Sequence, residues 1–169
     1  MLQQAIFLHQ KGRLAEAAPL YFKILAQNPQ HADALHLLGV IELQRGSLLT
    51  AVQLIDRAIE IDPNNATFFS NRGVALQDLN SFDDALASYD RALAIRPDNP
   101  EVLNNRGTAL RKLQRLEDAL ASYDRALAIQ PDYAEAHNNR GNVLRAPRII
   151  AAADHLRLRA GHGAANRIL

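Results

Sequence analysis

Six histidines, eighteen carboxylates and no cysteine are the side chains from which this sequence could build an acid–base, metal or nucleophilic site. His9, His31, His36, His137, His155 and His162 fall at no metal-ligand spacing, and no thiolate joins them. They read as solvated residues, so no metal and no cofactor is expected. The adjacent acids Asp83-Asp84 and Glu117-Asp118 each open an apolar helical stretch. There they favour the positive end of a helix dipole, which makes them start signals and not an acid–base pair. The loops G-x-x-x-x-G-K-[ST], H-E-x-x-H and G-x-S-x-G are absent, and "AGHGAA" is too short for a phosphate cradle and follows no strand. Catalysis by this chain alone is not expected. One polar pattern is left over: "NRG" at 71–73, 105–107 and 139–141. Asparagine is a poor helix former, so its return at a fixed step inside helices asks for a reason.

That step organises the chain. "DALASYDRALAI" occurs at Asp84–Ile95 and again at Asp118–Ile129, 34 positions on. Prolines follow the same step at Pro29, Pro63, Pro97 and Pro131, as do Gly39, Gly73, Gly107 and Gly141. So do Ala17, Ala51, Ala85 and Ala119, and the large side chains Tyr21, Ile55, Tyr89 and Tyr123. A sustained period of this length marks a repeat array, in which each unit buries its apolar face only against its neighbours. The array runs from the first residue to about Arg145.

Within one unit, Ala85, Leu86, Tyr89, Ala92 and Leu93 form a single helical stripe, with Ser88, Asp90 and Arg91 off it. Pro97 disfavours helix at Arg96, and Pro100 suits the first position of the next helix. The spacing predicts nine helices over 2–145, with turns near Gly12, Pro29, Gly46, Pro63, Asn80, Pro97, Gln114 and Pro131. Each glycine of the period sits where a side chain would hold two helices apart. Ser88 and Ser122 read as outer-face residues.

The net charge of +1, from 19 basic and 18 acidic residues, gives no reason to expect nucleic acid or an anionic membrane as partner. No run of 18 apolar residues occurs, so no segment is expected to span a bilayer. The opening "MLQQAIFLHQKG" has no basic flank and already lies in the repeat register, so it does not read as a signal peptide. A cytoplasmic location is the default expectation.

A small residue at the eighth place of the unit, alanine at the twentieth, an aromatic at the twenty-fourth, alanine at the twenty-seventh and proline at the thirty-second resemble the tetratricopeptide repeat. Complete units fit at 32–65, 66–99 and 100–133, a first lacks its opening residues (1–31), and a fifth begins over 134–145. The resemblance implies an all-α fold, a right-handed α-solenoid of helix-turn-helix 34-residue repeats whose first helices line the concave face. It also implies which residues face that groove: His36, Ser70, Asn104 and Asn138 at the fifth place, and Asn71, Asn105 and Asn139 at the sixth. Thr108 and Asn142 stand at the ninth place and Arg111 at the twelfth. A side-chain amide both donates and accepts, which suits the backbone of an extended peptide. This asparagine row is similar to the one lining the repeat arm of the O-linked N-acetylglucosamine transferases and their bacterial relatives. Copying of "NRG" during duplication would give the same row without function. The clamp that grips a terminal carboxylate in some members needs lysine at the fifth place, which this chain lacks, so a chaperone-tail receptor is disfavoured.

Several residues depart from the pattern. The frequent tryptophan at the fourth place is Leu35, Phe69, Leu103 or His137. Glu42 stands where other units carry leucine, which predicts less regular packing in the second unit, and Pro19 should bend or delay its helix. Arg72, Arg106 and Arg140 each follow an aspartate by 16 residues (Asp56, Asp90, Asp124) and pair with it as candidate ion pairs between repeats. After Arg145 the pattern fails, and 146–169 reads either as a degenerate C-terminal capping helix or as a foreign tail. The expected function is a protein-interaction module that binds an extended peptide segment in the groove. The alternatives are the substrate-presenting arm of a larger glycosyltransferase, and a scaffold that self-associates through its terminal repeats.

Overall fold

The computed structural model describes residues 1–146. Apart from Ala146, the expected capping helix or tail over 146–169 lies outside the described residues. Nine helices and no strand occur among the described residues: α1 (Leu2–Gln10), α2 (Leu14–Gln27), α3 (Ala32–Gln44), α4 (Leu48–Ile61), α5 (Ala66–Asp78), α6 (Phe82–Ile95), α7 (Pro100–Lys112), α8 (Leu116–Ile129) and α9 (Ala134–Leu144). The starts of α3, α5, α7 and α9 are 34 residues apart, and so are those of α2, α4, α6 and α8. Each helix packs on the next in sequence, and from α3 on each odd-numbered helix also touches the next odd one. The result is an all-α solenoid of helix-turn-helix units.

Local chemistry sets the boundaries. Asn65 and Asn99 cap α5 and α7 by accepting backbone N–H groups from Thr67 and Val102 through their side-chain oxygens. Every odd-to-even turn closes in one way. The residue after the cap takes a left-handed conformation at Gly12, Gly46, Asn80 and Gln114 (φ 71°, 80°, 61° and 60°). The following N–H then reaches back to Leu8, Glu42, Leu76 and Leu110, the Schellman arrangement that satisfies the last carbonyls. Glycine enters the left-handed region freely, whereas a glutamine there costs on the order of 1 kcal/mol. Gln114→Gly is therefore expected to raise stability by about that amount, read as a higher denaturant midpoint at unchanged slope.

The core is a series of four clusters along the array in which small residues face large ones. A Cβ added at Gly39 would lie 2.8 Å from Ile55 Cγ1, at Gly73 2.5 Å from Tyr89 Cε1, and at Gly107 2.6 Å from Tyr123 Cε1. Ala17, Ala51, Ala85 and Ala119 are wholly buried on the opposing helices. The absence of side chains at the glycines thus lets a fully buried ring or isoleucine of the second helix lie against the backbone of the first.

Two departures from the repeat pattern fall within described helices. Pro19 lies inside α2, but that helix starts in register with its equivalents and is not delayed. Pro19 and the preceding turn at Ala15 are both exposed, so the carbonyl that loses its intrahelical donor can be hydrated. α3 and α4 keep the helix lengths of the later units; Glu42 turns to Arg45 (3.0 Å) while Leu38 and Ile41 are buried.

Candidate functional site

The odd-numbered helices carry the side chains assigned to the groove, and the structure sorts these into two layers. Asn71, Asn105, Asn139, Ser70, Thr108 and Arg111 are half-buried, and Asn138 and Asn142 are exposed. His36 and Asn104 differ: they are 5% and 0% exposed. The expectation that these two line an open surface is therefore corrected. At the fifth place of these two units the side chain turns toward the next odd helix instead of outward. The His36 ring lies against Phe68 with centroids 4.6 Å apart, and Asn104 donates to Glu135 Oε1 at 3.0 Å.

Both buried groups support the sixth-place amides. Asn71 Nδ2 lies 2.8 Å from His36 Nε2, and Asn139 Nδ2 donates to Asn104 Oδ1 at 3.0 Å. A carboxamide has two N–H donors and one acceptor oxygen, so each of these contacts leaves hydrogen-bonding capacity over. Desolvation dominates at His36 and pushes its pKa down to about 4, against a small raising influence from Asp33 and with a further lowering one from His9. The imidazole is neutral at neutral pH, so Nε2 can accept from Asn71 while Nδ1 carries the proton.

Thr108 also serves the fold, donating to the Asn104 carbonyl (3.2 Å) and meeting the Tyr123 hydroxyl at 3.3 Å. Where α1, α2, α3 and α5 converge, a pocket of about 300 Å³ opens beside Asn71. It is walled by Ile6, Leu37 and Val40, with His9, Tyr21 and His36 among its polar residues. The sequence reading missed His9 and Tyr21. The available signal was that the first unit carries Ile6 and His9 in the registers of Thr108 and Gln77.

The Arg–Asp pairs form as expected: Arg72–Asp56 and Arg106–Asp90 at 2.6 Å, Arg140–Asp124 at 2.5 Å. Each is partly exposed and contributes no more than about 1 kcal/mol. Ser88 and Ser122, read as outer-face residues, are 2% and 1% exposed instead. Arg72 Nη1 donates to Ser88 Oγ (2.8 Å) and Arg106 Nη1 to Ser122 Oγ (2.6 Å). Each serine passes its own proton to the carbonyl four residues back. One guanidinium thus clasps the second helix of the preceding unit and that of its own.

No cluster of metal-ligating side chains occurs among the described residues, and no helix among them is long and apolar enough to cross a membrane. Among curated proteins none matches the sequence. Solved structures do. MamA aligns with a TM-score of 0.80 at 18% identity, over 96% of this chain and 95% of that one, a likeness of fold alone. The first TPR of Spaghetti (RPAP3) bound to the HSP90 peptide SRMEEVD aligns at 0.68 with 28% identity, over 69% and 93%. The Arabidopsis OM64 TPR domain aligns at 0.66 with 25% identity, over 68% and 95%. Family models described as tetratricopeptide repeat and TPR repeat match residues 2–66 and residues 75–114 and 107–145. With most of its length under those models, the chain belongs to the tetratricopeptide repeat family.

Proposed function

We infer that this array is a non-catalytic interaction module whose concave face binds an extended segment of another protein. The observation that carries this reading is the row of half-buried amides at Asn71, Asn105 and Asn139, one per unit on successive odd helices. The 28%-identical structure that holds an HSP90 peptide supports the mode of binding. It does not carry over the ligand, since His36, Ser70, Asn104 and Asn138 stand where a carboxylate clamp would need lysine.

Asn105 offers the cleanest test, because removing Asn71 or Asn139 would also strip a hydrogen bond from His36 or Asn104. A peptide selected from a displayed library against the whole chain is the probe. Asn105→Ala is expected to weaken it by about 0.5–1.5 kcal/mol, roughly two- to twelvefold in Kd by titration calorimetry. Ala87→Ser, on the exposed side of α6, should leave Kd unchanged. Undiminished binding by Asn105→Ala would reduce the row to a relic of duplication.

The same row supports a second reading, in which the array presents a protein substrate to a glycosyltransferase. Selected peptides rich in serine and threonine would favour it, and their absence would count against it. Self-association through the terminal repeats is a third reading, supported by the exposed side chains of Met1, Phe7 and Phe22 at the first unit. Light scattering that stays monomeric across concentrations would remove it.

A further inference from the structure

We propose that the groove takes a segment with two anchors, an acidic side chain held by Arg111 and Lys112 and an apolar side chain seated against Ile6, Leu37 and Val40. This deepens the reading of the concave face as a peptide groove and rests on it. The observation behind it is a drift in chemistry from one end of the array to the other. The ninth place of the unit reads Ile6, Val40, Val74, Thr108 and Asn142, and the twelfth reads His9, Leu43, Gln77, Arg111 and Arg145. Copying of repeats produces sameness, so it accounts for the asparagine row but not for this drift.

At the cationic end, Arg111 is half-buried and Lys112 exposed, and with Gln114 and Asn142 they line a cavity of about 360 Å³. Arg111 Nε is enclosed, which leaves the Nη end of the guanidinium for contact. Lys112 Nζ lies 5.9 Å over the Phe82 ring. The six ion pairs among the described residues go to other arginines. The fold does not ask for these two charges. In the preceding unit the same places hold Gln77 and Asp78, and α5 has the length of α7. Between these units the charge of the pair changes from −1 to +2. Nor does the helix dipole require it, since α3, α5 and α9 close without a basic residue in the last turn. A guanidinium fork with an ammonium beside it is matched by a carboxylate.

At the other end, Ile6, Leu37 and Val40 are half-buried and wall the cavity of about 300 Å³ beside Asn71. No charged side chain among the described residues lines it, and burial holds His9 and His36 below their ordinary pKa, so a charged group would stay unpaired there. An aliphatic or aromatic side chain loses water in it and needs no polar partner. Neighbouring odd helices stand about 10 Å apart, the usual spacing of packed helices, which separates the two cavities by roughly 20–30 Å. An extended chain advances about 3.3 Å per residue, so the two anchors fall roughly six to nine residues apart in the bound segment.

The test uses the whole chain and peptides selected against it from a displayed random library. They are synthesised with an amidated C-terminus, so that only side-chain carboxylates are present. Selected peptides are expected to share an aspartate or glutamate and, roughly six to nine residues from it, an aliphatic or aromatic residue. The double variant Arg111→Gln/Lys112→Asp restores the pair found at Gln77 and Asp78, so it should melt near the parent. It is expected to weaken a selected peptide by about five- to thirtyfold in Kd by titration calorimetry. Replacing the peptide's acid by its amide should cost a similar factor with the parent and little with the double variant, the coupling that marks direct contact. Val40→Thr takes the residue type of Thr108, and against it the change of the peptide's apolar residue to alanine should cost less than against the parent. Arg125→Gln, on the exposed side of α8, should leave Kd unchanged. Three results each overturn the proposal: selected peptides without an acidic residue, an acid and an apolar residue set side by side, or a loss on neutralising the acid that is equal in parent and double variant. If such peptides still weaken with Asn105→Ala, the groove reading stands without the two anchors. Coupling to Arg111 and Lys112 with no effect of Asn105→Ala keeps the anchors and removes the amide row.

Discussion

Gly107→Leu is expected to lower the melting temperature by far more than a leucine placed on an exposed helix face. The added Cβ alone would stand 2.6 Å from Tyr123 Cε1, 2.8 Å from Cζ and 2.9 Å from Cδ1. These are atoms of a rigid ring that is itself 0% exposed, so it cannot swing aside. Overpacking of a dense core costs roughly 1–3 kcal/mol, and a clash with the whole face of a buried ring places this change at or above the top of that range. The helices α7 and α8 would have to separate, which also loosens Leu110 and Ala119 between them. Ser88, read from the sequence as a surface position, is no control, because it is buried under Arg72. Ala87 is exposed on α6, and Ala87→Leu should melt within a degree or two of the parent. Equal melting temperatures for Gly107→Leu and Ala87→Leu would show the glycine contact to be misassigned.

A second large effect is expected from pH. His36 has its folded pKa pushed down to about 4 by burial, whereas an unfolded histidine titrates near 6.5. Between those values the unfolded chain binds the extra proton, so stability is full above pH 6.5 and falls as the pH drops toward 4. The loss from this one group is about 2 kcal/mol by pH 5 and about 3 kcal/mol by pH 4. His9 is shifted in the same direction by burial, so it adds to the loss. Chemical denaturation at pH 7 and pH 5 checks this, with His36→Gln alongside. Glutamine keeps an acceptor for Asn71 and cannot take up a proton in this range, so the variant should lose less stability than the parent on acidification. An identical pH dependence in both proteins would mean that His36 is not held neutral by the fold.

The sequence exposed the fold more fully than the face it offers to partners. Helix positions follow from a step of 34 that fixes Pro63, Gly73, Ala85 and Tyr89 together, and each of those residues acts locally on its own turn or its own pair. The burial of His36 and Asn104 depends on how one unit rotates against the next, which no window within a unit reports. Ser88 and Ser122 were misread for a related reason. Their stripe looks outward on α6 and α8 taken alone, and only the arginine from the adjoining helix covers them. A signal did exist: each serine follows an arginine by the same 16 residues that separate that arginine from its aspartate. The pocket at Tyr21 was harder to see, because what makes it is a loss of partners in one unit and not the gain of any motif.

The arginine clasp bears on how such a chain can lengthen. The unit at 66–99 carries Arg72, Ser88 and Asp90, and the unit at 100–133 carries Arg106, Ser122 and Asp124. Each arginine closes on the serine of its own unit and on the aspartate of the one before. A unit is therefore both socket and plug, like a coupling on a railway carriage. An in-frame copy of 34 residues inserted at either joint arrives with its own arginine to engage the aspartate upstream, and offers its own aspartate to the arginine downstream. No compensating substitution is needed elsewhere, so gene duplication can insert carriages at no cost in mismatched joints. The twelve residues shared by Asp84–Ile95 and Asp118–Ile129 are what such a history leaves behind.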